Sequence, residues 1–421
     1  MSGHLPADNH SELPSPASSS PPERTSNTSS ESSRDIQESK GAGGEESARP
    51  TTGLFSRPLT RRKIAIIGSV AALASILIAL AIALPIVFTK RHHRRENTYH
   101  REANRPVYAV YDFPDPGLIE HNGTWYAYGT NPKKNDDKSI HLSVATSTNF
   151  VNWTLHEGYD AMPGLGDWER KINHWAPDPI QRDDGKFVIY YAGESKTFGT
   201  HHCVGAAVSN GTDPLGPYTP LEKYIACPKK YGGAIDPSPF KDADSKMYVV
   251  YKADGNSVGS GGYCGNTNKP RRSVPLLLQE LESDGTTKVG TPVKILDIDS
   301  SDGPLVEAPN IVLKNGVYYL FFSSHCYTSP GYNVKYAHSK SLKGTYKRAG
   351  RPLLQTGDFN LTSPGGATVS PDGTKIVFHA NCGHMRCMYA GAINIHTKNK
   401  TATMGSLSYK GSGKSSSSGS S

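Results

Sequence analysis

The chain runs to 421 residues with a formal net charge of +8. Part of that excess sits in two short basic clusters (Arg57, Arg61, Arg62 and Lys63; Lys90, Arg91, Arg94 and Arg95), so it is poor evidence for a nucleic-acid partner, and no aromatic-basic stripe or nucleic-acid motif supplies better. Six cysteines without a Cys-x-x-Cys pair argue against a zinc module.

Residues 1–60 are rich in Ser, Pro, Glu and Gly and poor in large apolar side chains. Such a segment cannot bury enough surface to offset its ordering entropy, and it is expected to be a disordered cytoplasmic tail. Residues 64–88 carry no charge and are long enough to span a bilayer. They start too far from the N-terminus and run too long for a cleaved signal peptide, so a signal-anchor transmembrane helix in a lipid bilayer is expected. Residues 89–105 then form a basic juxtamembrane stalk. Flanking charge is nearly balanced and orients the span poorly. Cysteines and sequons orient it better: Cys203, Cys227, Cys264, Cys326, Cys382 and Cys387 all follow the span, as do the sequons at Asn122, Asn152, Asn210, Asn360 and Asn399. An even cysteine count on one side fits an oxidising lumen or exterior. The expected protein is a single-pass type II membrane glycoprotein with its folded part outside or luminal. Pairing is not deducible from spacing, although the close Cys382 and Cys387 are a reasonable bridge.

From 106 to 408 a short phrase returns five times. It reads Asp115-Pro-Gly-Leu-Ile, Asp178-Pro-Ile-Gln, Asp236-Pro-Ser-Pro-Phe, Glu307-Ala-Pro-Asn-Ile and Pro364-Gly-Gly-Ala-Thr. Each passes through a turn at Gly123, Gly185, Ser245, Gly316 or Gly373 into an aromatic run such as Phe187-Val-Ile-Tyr-Tyr191. Asn-Gly, Asp-Gly and Asp-Ser between β-branched and aromatic residues are hairpin signals. A repeat of this length suggests propeller blades of four strands with generous loops. An ordinary β-sandwich is the plainer alternative, but its strands turn over every 8–12 residues and need no long unit. The fold expected is therefore all-β, a five-bladed β-propeller ectodomain preceded by a disordered tail and one transmembrane helix. The tail from 409 to 421 is Gly/Ser/Lys-rich and reads as flexible.

Propeller blades surround a central channel, so Asp115, Asp178, Asp236 and Glu307 are expected to begin inner strands on one face. The fifth phrase offers space there and no charge. Carboxylates around one pocket suit glycoside hydrolysis, which needs a protonated carboxyl at the leaving oxygen and an ionised one opposite. A third acid raises the donor's pKa by like-charge repulsion. Calcium binding is the competing use of clustered acids, but no EF-hand or Asp-rich loop is present. Spacing alone does not assign the roles.

Taken together and in order, Phe113-Pro-Asp115-Pro-Gly-Leu-Ile, Trp175-Ala-Pro-Asp178, Gly233-Ala-Ile-Asp236-Pro-Ser-Pro-Phe and Val306-Glu307-Ala-Pro-Asn resemble glycoside hydrolase family 43. These are the five-bladed propellers related to arabinanases, arabinofuranosidases and β-xylosidases, and the likeness extends over about 106–396. The resemblance implies Asp115 as general base, Glu307 as general acid and Asp236 as the residue that tunes and orients the donor, acting by single displacement with inversion. It implies Trp175 and Asp178 as substrate-side residues. It also implies His379 as the axial histidine beside a calcium or other small ion reached through water, with no cofactor required for the reaction. The sequence departs from the family where Pro-Gly follows Asp115 in place of Pro-Ser, and where Glu-Ala-Pro replaces Glu-Gly-Pro. The expected partner is a polysaccharide or oligosaccharide with arabinofuranosyl or xylosyl linkages. The rivals are a non-catalytic, membrane-tethered glycan-binding propeller and a retaining, fructan-active relative from the same clan.

Overall fold

The computed structural model describes residues 99–103, 105–131 and 140–411. The expected tail 1–60, the span 64–88 and most of the stalk 89–105 lie outside these residues, as does the end of the chain from 412. Among the described residues no helix is long and apolar enough to cross a membrane.

Five antiparallel sheets follow one another along the chain. Blade 1 is Gly117–His121, Thr124–Gly129, Ser143–Ser147 and Thr154–Leu155. Blade 2 is Trp175–Gln181, Phe187–Glu194, His202–Ser209 and Tyr218–Pro220. Blade 3 is Ala234–Lys241, Met247–Ala253, Leu276–Leu281 and Lys288–Leu296. Blade 4 is Val306–Lys314, Val317–Ser324 and Asn333–Ser339, edged by Lys347–Arg348 and Leu354–Gln355. Blade 5 is Gly365–Val369, Lys375–Cys382 and Met385–His396. Its outer edge is shared by Thr401–Gly405 and by Val107–Val110, the strand that precedes blade 1. The two ends of the repeat are thus sewn into one sheet, and the first strands of successive blades touch all the way round the circle.

Why these residues make blades follows from burial. Phe187–Glu194 and Met247–Ala253 are buried at every position, as a continuous apolar run predicts for a strand covered on both faces. Five apolar clusters fill the wedges between neighbouring blades. One joins Tyr128 and Val144 to Ile189 and Tyr191, and another closes the ring by joining Leu118 and Ala127 to Val377 and Met388. Each large apolar side chain buried there contributes about 1.5–3 kcal/mol. All five expected turn positions are left-handed, with φ of 77°, 83°, 72° and 68° at Gly123, Gly185, Gly316 and Gly373 and 66° at Ser245. Those are the angles that hairpin turns of this kind demand.

Three disulfides are present, Cys203–Cys227, Cys264–Cys326 and Cys382–Cys387. A further ribbon pairs Tyr99–Ala103 with Leu407–Gly411. It carries ordered backbone past the 106 and 408 boundaries drawn from composition, into the expected stalk and tail. Backbone pairing does not require the apolar runs that mark the blades in the sequence.

Candidate active site

One backbone irregularity organises the centre. In blades 2 to 5 the first strand slips register between Trp175 and Asp178, Ile235 and Ser238, Glu307 and Asn310, and Gly365 and Thr368. A left-handed residue sits at each slip: Ala176 (φ 47°), Asp236 (54°), Ala308 (49°) and Gly366 (57°), matched in blade 1 by Asp115 (53°). Such bulges re-aim side chains near functional sites. Proline follows the left-handed residue in four blades.

This register sorts the four repeated acids into three positions. Asp115 and Asp236 are the left-handed residues themselves. Glu307 lies one residue before, level with Trp175. Asp178 lies two residues after, level with Gly117, Ser238, Asn310 and Thr368. The acids are therefore equivalent in pairs of blades at most, and the single register expected from the turns does not hold.

The Asp178 position forms a belt. Its carboxylate accepts from Ser238 Oγ (2.7 Å) and the Leu118 amide (3.2 Å), Asn310 Nδ2 donates to Ser238 Oγ (3.1 Å), and the Val369 amide donates to Asn310 Oδ1 (3.1 Å). All five blades are linked through it. Asp178 is buried, and burial pushes its carboxyl up to about 7 against the help of Ser238 and Leu118. It lines a narrow central cavity together with Asp115 and Asp236.

The other acids crowd the mouth above. Asp115 accepts from Arg386 Nη1 (3.0 and 3.2 Å) and Thr130 Oγ1 (2.9 Å). Burial raises its pKa, but the Arg386 charge foremost, with Thr130 donating as well, outweighs burial and holds the carboxyl well below the usual range. Its amide donates to His379 Nδ1 (3.1 Å), which puts the ring proton on Nε2. His379 is fully buried, and burial followed by Arg386 lowers its pKa, so the ring is neutral. Glu307 accepts from Tyr332 Oη (2.7 Å) and Lys252 Nζ (3.0 Å). Lys252 is itself buried and also reaches Asp254 (3.2 Å). Asp236 accepts from the Ala308 amide (3.0 Å). Burial first, then the Glu307 charge, push its carboxyl up to about 8, with Asp115 adding to them and Lys252 opposing. Tyr332 ties the acids together, since its hydroxyl bonds Glu307 while its ring stacks on His379 (5.8 Å, 13°) beside Asp115.

The fifth blade supplies the space expected of it. A Cβ on Gly365 would lie 1.9 Å from the Tyr332 ring, and one on Gly366 would lie 2.6 Å from His379 and 2.9 Å from Asp115 Oδ1. Trp175 is half-buried; its Nε1 donates to Asn173 Oδ1 (2.9 Å) and its ring stacks on His202 at 3.6 Å.

Arg386, Lys252, Tyr332 and Thr130 were not among the residues expected from sequence. Lys252 had a signal, a lysine ending the otherwise apolar run Tyr248-Val-Val-Tyr251. Arg386 lies between Cys382 and Cys387, in the hairpin that their bridge closes. His379 Nε2 is buried without a partner. It is a single nitrogen, whereas calcium takes six to eight oxygens, and among the described residues no three His, Cys, Asp or Glu are arranged to hold a metal. Direct calcium ligation does not fit these donors.

A closed five-bladed ring with carboxylates and a matched cation at one mouth defines a class of propeller built around an acidic centre. The model of glycosyl hydrolases family 43 matches residues 103–398, and the chain belongs to that family. It is similar to the extracellular endo-α-(1→5)-L-arabinanase 2 of Bacillus subtilis (strain 168), with 26% identity over 297 residues, 65% of this chain and 58% of that one. Its similarity to the extracellular endo-α-(1→5)-L-arabinanase 1 of the same organism is 28% over 273 residues, 62% and 76% of the two chains. The chain thus spans less than two thirds of the first relative's length. The crystal structure of a thermostable family-43 glycoside hydrolase superposes with a TM-score of 0.59 at 24% identity, covering 72% of this chain and 95% of that one, a likeness of fold.

Proposed function

We propose that the protein hydrolyses arabinofuranosyl or xylosyl linkages of polysaccharides or oligosaccharides with inversion at the anomeric carbon. The observation that carries this reading is the opposed electrostatics of the mouth: one carboxylate, Asp115, held ionised, and another, Asp236, pushed up to about 8 by burial and by the Glu307 charge. Asp115 accepts a proton from water as the water oxygen attacks the anomeric carbon. The bond to the leaving oxygen breaks, and that oxygen takes its proton from Glu307. In the free protein Lys252 and Tyr332 both donate to Glu307 and Asp236 is the raised carboxyl; the donor role requires a proton on Glu307 in the substrate complex. Trp175, level with Glu307, is placed to wall the sugar. Asp178 serves the hub. A small ion near His379 is reached only through water, and no step runs through it.

A non-catalytic glycan-binding propeller is not favoured, because the acids are intact and the relatives are hydrolases. Early-time NMR of products from arabino- and xylo-oligosaccharides tests the mechanism and also separates it from the retaining alternative. The inverted anomer is expected; the retained anomer would overturn the mechanism, and no hydrolysis of either sugar would overturn the function.

The reading includes a type II anchor at 64–88 with the propeller outside or luminal. Three disulfides support it, as do five sequon asparagines that are all exposed. Protein made in a secretory system should lose mass on N-glycan removal; no change would count against this placement.

A further inference from the structure

Blade 3 carries an insert between Ala253 and Leu276. It leaves the sheet at the mouth, because Ala253 pairs with Ala234 at the start of the first strand. The insert is firmly held. Asn266, fully buried, donates to the Arg272 and Pro304 carbonyls (3.0 and 2.8 Å) and accepts from the Arg272 amide (2.8 Å). Cys264–Cys326 fastens the insert to blade 4.

Under this brace lies a cavity of about 510 Å³, lined among others by Lys230, Tyr231, Ser260, Arg271, Arg272 and Ser273. No carboxylate lines it. Asp254, at its edge in sequence, is turned onto Lys252, and Asp297 is taken up by Ser273 Oγ, the Val274 amide and Lys294. Among the described residues, no ion pair involves Lys230, Arg271 or Arg272. Gly255, which also lines the cavity, directly follows Asp254. The chain of contacts Asp254–Lys252–Glu307 therefore runs from the cavity edge to the acid.

We infer that this pocket is a subsite for a uronate, a sugar bearing a carboxylate, on the same glycan that enters the mouth. Three cations without carboxylate partners make the site electropositive, and an arginine fork matches a carboxylate. Ser260 and Ser273 already donate to the Asn268 carbonyl and to Asp297, so their oxygens are left to accept from sugar hydroxyls, and Lys230 lies over the Tyr231 ring (4.9 Å). The position beside the mouth favours a substrate branch over a membrane headgroup. The inference rests on the glycosidase reading for its ligand class.

The test is calorimetry on the full-length chain carrying Glu307→Gln, so that ligand survives. The probes are a glucuronate-bearing xylo-oligosaccharide and its carboxyl-reduced counterpart. The acid form should bind about fivefold more tightly at low salt, with the gap closing as salt rises, as expected for exposed charges. Adding Lys230→Gln and Arg272→Gln should abolish the gap and leave the reduced ligand's affinity unchanged. Arg271 is left in place because its Nη1 holds the Gly303 carbonyl (2.8 Å). Equal affinities in the parent, or a gap that survives the double change, would overturn the inference. So would Lys230- and Arg272-dependent binding of phosphatidylserine vesicles without a uronate preference. Turnover of the neutral oligosaccharide by the Glu307-intact chain reports separately on the enzyme reading. A uronate gap without hydrolysis sinks that reading and spares the subsite, and hydrolysis without a gap does the reverse.

Discussion

The mouth and the hub of this propeller are built from one repeated phrase, yet they use carboxylates in opposite ways. At the hub, Asp178 is closed in by Ser238 and Leu118, and its bonds run on through Asn310 to the fifth blade. At the mouth, Asp115, Asp236 and Glu307 are set against one another and against Arg386 and Lys252. Two or three residues of offset along a strand separate the environments. A buried acid whose partners are neutral hydrogen-bond donors holds blades together; one balanced between like and unlike charges is equipped to move a proton.

The comparison can be broken most sharply at the mouth. Glu307→Gln or Asp115→Asn should reduce turnover about 10²–10⁴-fold on substrates with poor leaving groups, whereas Ser238→Ala in the hub should leave steady-state rates near the parent's. Next in size is Lys252→Met. It leaves the Glu307 and Asp254 carboxylates without their buried cation, and denaturant titration should show a loss of about 3 kcal/mol or more. It also removes the charge that opposes protonation of Asp236, so the alkaline limb of activity should move to higher pH. Asn310→Ala should cost about 1–3 kcal/mol, since Ser238 and the Val369 amide lose a partner, with turnover of the folded protein nearly unchanged.

The smallest effect is on pH dependence. Asp236 and Asp178 are pushed up to about 8 and about 7, while carboxyls of the unfolded chain titrate near ~4. Between those limits the folded state binds more protons, so these two acids make stability fall as pH rises from about 4 to about 8. Asp115 acts the other way: its contribution is present above the unfolded value and is lost as pH falls through its depressed folded pKa. Unfolding midpoints measured from pH 5 to 9 should therefore decline toward the alkaline side, and Asp178→Asn should flatten the decline. Activity should fall as pH passes about 8.

Much of this was legible in the chain. The turns at Gly123, Gly185, Ser245, Gly316 and Gly373 and the aromatic runs after them gave the blades, because hairpin chemistry and apolar runs are local. The candidate acids were legible because they recur. Their offsets were not, because the left-handed residue is an alanine in blades 2 and 4, and an alanine at φ near 50° has no sequence signature. Asp178 does line the central cavity with Asp115 and Asp236, but its place two residues past the bulge could not be read until Ala176 showed where the bulge lies. Lys252 and Arg386 meet the acids through contacts between blades, over separations such as the 271 residues between Asp115 and Arg386, and Tyr332 meets Glu307 from the far end of a hairpin in the same blade. The strand closing blade 5, Val107–Val110, was hidden for the same reason.

Asp236 and Asp178 make the most direct test, for both are raised carboxyls in adjacent blades, differing in their offset from the bulge. Turnover should be measured for Asp236→Asn and Asp178→Asn side by side, at a temperature where both are folded. The offset account predicts a loss of about 100-fold or more for Asp236→Asn and a change within about threefold for Asp178→Asn. Equal losses in the two variants would contradict it.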